Sequence, residues 1–304
     1  VAAAALPVVL RNPYCLNLVI IAGMNAALAM TFVLTLRTGL VNMAIAAFLE
    51  IGATATAVLM VKAGWPFWVS LPVGAVAAAL VGLIVGLPLL KNSGFTFVML
   101  TAVFAMLVPQ VFASIRSIGG FSGLQGIPTP PPVHLGGLEI DLGSKSGMYY
   151  VMLALVLFSM VGLRALYAGR AGRAWLSIGL NPRLAGSVGV NVFRNRLLAF
   201  VVACGIAGMI GGLYGVYLGA VVPTQFTVFK TISIHIAAIV GGIPFPLLGP
   251  VVGAAFMTAL PELLRWAPSA MPIVLGVLYI LAILLLPDGL LSLVWPQQGE
   301  RALV

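Results

Sequence analysis

Of the 304 residues, 62% are hydrophobic and 7% charged, and the formal net charge is +9. A chain so poor in charge cannot stay dispersed in water, which excludes a soluble domain and points to an all-α, polytopic bundle of membrane helices. The basic excess lies in loops, where it orients the chain and meets anionic lipid, so it does not mark a nucleic-acid binder.

In chain order, apolar runs near the ~20 residues needed to cross a bilayer predict spans at 15–36, 38–60, 67–90, 95–114, 147–167, 197–219, 224–242, 247–264 and 270–287. With broken or re-entrant helices allowed, this amounts to about 8–10 membrane segments in a single transmembrane domain over 1–304. The runs lack the alternation of a β-barrel. Val1 to Leu10 lack the positive stretch that opens a cleavable signal. Cys15 and Cys204 lie in or beside spans and offer neither a disulfide framework nor a zinc spacing. Gly52-Ala53-Thr54-Ala55-Thr56-Ala57 lets helices approach closely, either for packing or to line a pathway.

The stretch 116–146 is polar, rich in glycine and proline, and nearly neutral, with Arg116, Glu139, Asp141 and Lys145. Beyond it the character changes. Arg164, Arg170, Arg173, Arg183, Arg194 and Arg196 follow one another, and no acid occurs between Asp141 and Glu262. Lys and Arg are retained on the cytoplasmic side, so 168–196 reads as an internal loop and 116–146 as an external one. Counting spans places Glu300 and Arg301 inside and the N-terminus outside. Lys91 then falls inside and Lys62 outside, so the rule is not obeyed everywhere. Asn181-Pro182 signals a helix start, and the short helix to Gly189 carries Leu184, Ala185 and Val188. An apolar helix in a basic loop suits docking into a partner groove, or else lies on lipid headgroups.

Four polar groups within spans are candidates for a translocation pathway: Asn42, Glu50, Gln110 and His235. Glu50 is the most anomalous, since an acid in a span costs about 2.5–3.5 kcal/mol on insertion scales. It faces either a pathway or a neighbouring helix or chain. The others can simply hydrogen-bond between helices. His235 suggests no metal, because the other histidine, His134, lies in the external loop. Glu262 and Arg265 are spaced to pair with each other. The pairs Lys145-Ser146 and Lys230-Thr231 lack the glycines of a phosphate loop, so any nucleotide belongs to another chain and no cofactor is expected here.

Three stretches in order resemble one family. Gly172-Arg173-Ala174, Ile178, Asn181, Leu184-Ala185 and Gly189-Val190-Asn191 resemble the cytoplasmic coupling segment of branched-chain amino acid ABC-importer permeases. Pro223, Phe226-Thr227, Ser233-Ile234, Gly241-Gly242, Gly249-Pro250, Gly253-Ala254 and Leu260 to Arg265 are similar to the C-terminal half of the LivM type. Gly119-Gly120, Gly123-Leu124 and Gly126-Ile127-Pro128 look like its outer glycine-rich motif.

The resemblance implies a permease subunit in the bacterial inner membrane. Its implied partners are a second permease of the LivH type, two cytoplasmic ATPase subunits that bind the ATP, a periplasmic solute-binding protein and membrane lipid. It also implies that Arg170, Arg173, Asn181, Arg183, Leu184, Val188 and Asn191 belong to the ATPase-coupling loop. The chain departs from the pattern at Glu50, at Gly179, Leu180 and Pro182, and at Pro244 and Pro246. Solutes across the relatives include branched-chain amino acids, urea, short amides and aromatic acids. Two other classes remain open. An ion-coupled secondary transporter would need mid-membrane carboxylates, of which Glu50 is one. An intramembrane enzyme would need paired aspartates or a Ser–His pair within spans, and none suits.

Overall fold

A computed structural model describes residues 13–92, 94–130, 133–135, 138–140, 143–264, 271–285 and 288–294. In chain order its helices are α1 (Pro13–Leu36), α2 (Ile45–Lys62), α3 (Phe67–Leu89), α4 (Phe95–Ser114), α5 (Lys145–Ala168), α6 (Arg170–Leu180), α7 (Pro182–Ser187), α8 (Val192–Leu218), α9 (Val228–Gly241), α10 (Leu248–Leu263), α11 (Met271–Leu285) and α12 (Leu291–Val294). Among the described residues, seven segments are long and apolar enough to cross a bilayer: α1 to α5, α8, and Pro223–Gly241, which contains α9. α10 and α11 are apolar but shorter, with 16 and 15 residues. The protein is a multi-pass helical bundle, as its composition requires. Arg265, Asp141, Glu300 and Arg301 lie outside the described residues.

The second span starts later than hydropathy suggests, at Ile45 rather than near 38. Gly39 adopts φ +73° and ends α1. Its amide bonds the Leu36 carbonyl at 2.9 Å, and Leu40 N reaches back to Thr35 O at 3.2 Å. This pair of bonds is a left-handed helix cap that only glycine adopts at low cost. Residues 40–44 then enter the bundle without helix, though their composition is apolar.

α2, α3 and α8 form the centre. They cross where small residues face one another. A side chain at Gly52 of α2 would collide with the Gly208 backbone of α8, and one at Gly208 would strike Ala78 of α3. Phe48, Phe97 and Phe200 fill the adjoining space with edge-on ring contacts. α1 packs along α8 and also touches α5, α9 and α10. α3, α4 and α5 leave much of their apolar surface exposed, as at Ile84, Val103 and Phe158.

The two ends of the bundle differ. At one end α1 and α5 finish, α6 and α7 lie across, and α8 begins. At the other, β1 (Leu124–Gln125) pairs antiparallel with β4 (Ala220–Val221), with Leu124 opposite Val221. A small hairpin, β2 (Val133–Leu135) and β3 (Leu138–Ile140), lies in the same connection. Lys62 Nζ donates to the Ser117 carbonyl at this end, which explains a lysine on the face where lysine was unexpected.

Candidate functional site

The basic segment folds into two short helices. α6 leaves Arg170 and Arg173 exposed and buries Trp175 and Ile178. The Trp175 ring meets Tyr167 of α5 edge-on at 6.2 Å, and its Nε1 donates to the Asn195 carbonyl of α8 at 3.0 Å. Arg37, just beyond α1, lies 4.6 Å over the Tyr167 ring. Burial there pulls its guanidinium below the ordinary value. A side chain at Gly179 would run into the Arg37 backbone. α6 is therefore fastened to α1, α5 and α8 at once. Arg196 belongs to this junction too. Sequence counts it with the free arginines, but it is buried and donates to the Thr38 carbonyl at 3.1 Å.

Asn181 separates α6 from α7. Its Oδ1 accepts from the Arg183 and Leu184 amides at 3.0 and 3.2 Å, and Pro182 takes the first helical position, where no donor is missed. Asn191 repeats the device on α8, accepting from Arg194 N at 2.9 Å. With its start capped by Asn181, α7 turns Ala185 inward and leaves Leu184 65% exposed. Leu180 and Val188 flank it at 72% and 78%. Arg183 is exposed beside them. Sequence reading identified Leu184 and Val188 but not Leu180, whose exposure follows from its place on the last residue of α6. A groove of about 780 Å³ lies alongside, between α3, α6 and α8, with Arg170, Asn191 and Arg194 beside Leu83, Leu198 and Val201.

Of the four polar span residues, the structure brings two together. Asn42 Oδ1 accepts from Ala44 N at 2.9 Å, and the Asn42 carbonyl accepts from His235 Nε2 at 3.0 Å. Because a carbonyl only accepts, Nε2 carries the proton. Thr231 Oγ1 accepts from Ala46 N at 3.1 Å, and Thr101 Oγ1 from Met43 N at 3.2 Å. Asn42, Thr101 and Thr231 thus serve the amides of Ala44, Met43 and Ala46 around the start of α2, which begins inside the bundle where those donors have no water. Glu50 stands apart. It is fully buried on α2, and neither carboxylate oxygen has a hydrogen-bond partner. Gln110 is exposed on α4, unlike the other three, which are buried.

Sequence reading passed over Lys230. It lies within the span Pro223–Gly241, donates to Asn25 Oδ1 at 3.1 Å, and sits 5.4 Å from the centre of the Tyr214 ring. Asn25 is at the midpoint of the 24-residue α1. The signal was present as a lone lysine in an apolar run, and it was read only against the phosphate-loop pattern.

A family described as the branched-chain amino acid transport system / permease component matches residues 14–286. The chain belongs to this family. The permease is 27% identical to the high-affinity branched-chain amino acid transport system permease protein LivM of Escherichia coli (strain K12), over 87% of this chain and 68% of that one. The LivM of Salmonella typhimurium gives the same figures. A probable branched-chain amino acid transport permease protein LivH of Methanocaldococcus jannaschii is 28% identical over 74% of this chain and 72% of its own. No solved structure matches. These relatives are transport permeases rather than enzymes.

Proposed function

We propose that this permease is the LivM-type half of the membrane pore of an ATP-driven importer. It pairs with a LivH-type permease in the bacterial inner membrane. Two ATPase subunits bind and hydrolyse the ATP on the cytoplasmic side, and a periplasmic binding protein delivers a branched-chain amino acid or a related small polar solute. The loop 168–196 is inside and 116–146 outside, by the retention of arginine. The observation that carries the reading is the α6–α7 junction. Leu180, Leu184 and Val188 form an exposed apolar patch among arginines, on an element fastened to three spans. Such a patch suits a groove on a soluble partner. When the ATPases close, α7 moves with them, and α6 passes the displacement to α1, α5 and α8. The bundle rocks against its partner and exchanges access between the two sides.

The test replaces Leu180, Leu184 and Val188 together by serine. All three side chains point outward, so the variant should insert and keep its partner permease. ATPase copurification and coupled uptake should both fall. A cysteine at the exposed Ser187 should react with impermeant maleimide only from the inside and should crosslink to the ATPase. Full uptake by the triple variant, or labelling from outside, overturns the assignment.

A further inference from the structure

We infer that the groove between α3, α6 and α8 holds one anionic phospholipid, its phosphate on Arg170 and Arg194 and an acyl chain along Leu83, Leu198 and Val201. The inference goes beyond the importer reading and does not depend on it, since the groove meets the bilayer whatever drives transport. The groove has two unlike ends. Arg170 opens α6 and Arg194 lies in the first turn of α8, so both stand where the chain leaves the membrane. Both are exposed. α3, α6, α8 and the linker from Asn181 to Asn191 contain no acid, so this end has a single sign. Guanidinium forks match the oxygens of a phosphate in shape as well as charge.

Beyond the arginines the wall is apolar. Val201 comes seven residues after Arg194, about 10 Å further along α8, with the exposed Leu198 between them. Opposite, Leu83 belongs to a stripe on α3 made of Val76, Leu80, Leu83 and Leu87. All four are exposed and recur at helical spacing, so the wall continues from the groove toward the middle of the span. The groove also has a floor. α3 comes so close to α8 at Gly86 that a side chain there would press on Leu197 and Phe200. A cationic mouth over an apolar track is the shape of a lipid, whose phosphate and chains are joined at the membrane surface. A soluble partner can reach the arginines but not a wall set within two spans. A span of another chain can cover the wall but brings no phosphate to the arginines. A zwitterionic lipid brings its own cation to the guanidiniums and is held less well.

The test is native mass spectrometry of the intact permease complex, stripped of lipid in detergent and supplied with equal amounts of phosphatidylglycerol and phosphatidylcholine. The parent should retain phosphatidylglycerol at collision energies that remove phosphatidylcholine. Arg170→Gln with Arg194→Gln should retain one phosphatidylglycerol fewer, with affinity lower by roughly fivefold for each arginine. Arg173→Gln with Arg183→Gln removes the same charge from exposed positions outside the groove and should keep the lipid. Equal loss in the two pairs overturns the inference, because the attraction would then be diffuse. Val201→Trp leaves both arginines in place and fills the wall, so it should also weaken retention. Unchanged retention in that variant overturns the seat of the chain. Equal retention of the two lipids by the parent overturns the inference, as does full displacement of the lipid by millimolar inorganic phosphate. Finally, with Cys15→Ser and Cys204→Ala removing other thiols, a benzophenone carried on Leu198→Cys should crosslink to phosphatidylglycerol. Capture of a protein subunit at that position would make the groove an interface and overturn the inference.

Discussion

Single residues show how differently polar groups in a membrane helix can be used. Asn42, His235, Thr101 and Thr231 each serve a named backbone group, so their polarity is absorbed by the fold. Glu50 serves none. It is fully buried within this one chain, so neither a partner permease nor an interface pathway reaches it in this conformation. A buried carboxyl without a donor costs free energy that an apolar side chain of similar shape does not. Had it made hydrogen bonds, Gln would be the better substitute. With none to keep, the order inverts, because a glutamine amide brings more unsatisfied groups into the same place. Glu50→Met should raise the melting temperature in detergent, by roughly 1–3 kcal/mol of stability, and leave uptake within about twofold. Glu50→Gln should be no more stable than the parent. Loss of uptake in a well-folded Glu50→Met variant would show that the carboxyl meets a partner in another state of the cycle.

Elements were legible in proportion to how local their causes are. Hydropathy over about 20 residues places most spans, because burial in lipid acts on every residue of a run. It misplaces the entry to α2, where one glycine with φ +73° stops α1 while the composition stays apolar. It merges α6 into a loop, since the helix is short and basic on one face. What makes α6 helical is tertiary, namely Trp175 held between Tyr167 and Asn195 and Gly179 against Arg37. The pathway candidates were chosen by polarity, and polarity does not say which way a residue faces. Gln110 is therefore exposed while Lys230 went unread. The way α6 is held gives a test of its role in transmission. Trp175→Phe keeps a ring against Tyr167 but loses the bond to Asn195, at a cost of about 0.5–1.5 kcal/mol. That variant should assemble normally and move less solute per ATP hydrolysed. Trp175→Ala should cost about 3–5 kcal/mol and reduce the folded yield itself. An unchanged ratio of uptake to hydrolysis in Trp175→Phe would remove α6 from the transmission path.

At the scale of the molecule, a dense centre is surrounded by looser helices. Membrane helices gain little from apolar contact with one another, because lipid offers the same contact, so close backbone approach must hold them. α2, α3 and α8 achieve this around Gly52, Gly208 and Ala78, where even a methyl added at either glycine would collide with a neighbouring helix. The three helices can then move as one body while α4 and α5, which keep apolar flanks exposed, are free to meet lipid or a partner chain. The proposed rocking mechanism would need this contrast, since a body that deforms internally would dissipate a displacement passed through α6. Gly208→Val should therefore be severe. Its side chain meets the Ala78 methyl of α3 and the Gly74 and Ala75 backbone of the same helix just beyond, and backbone cannot turn aside as a side chain does. Folded complex in the membrane should fall sharply, with the melting temperature of what remains reduced. Gly162→Val provides the comparison, because nothing lies within 4 Å of a side chain there. It sits on the open flank of α5 beside the exposed Val161, where an added valine meets lipid and improves helix propensity over glycine. Fluorescence-detected size exclusion of both variants, at matched expression, should separate them clearly. Equal behaviour would mean that the crossing of α2, α3 and α8 is not what holds the bundle together.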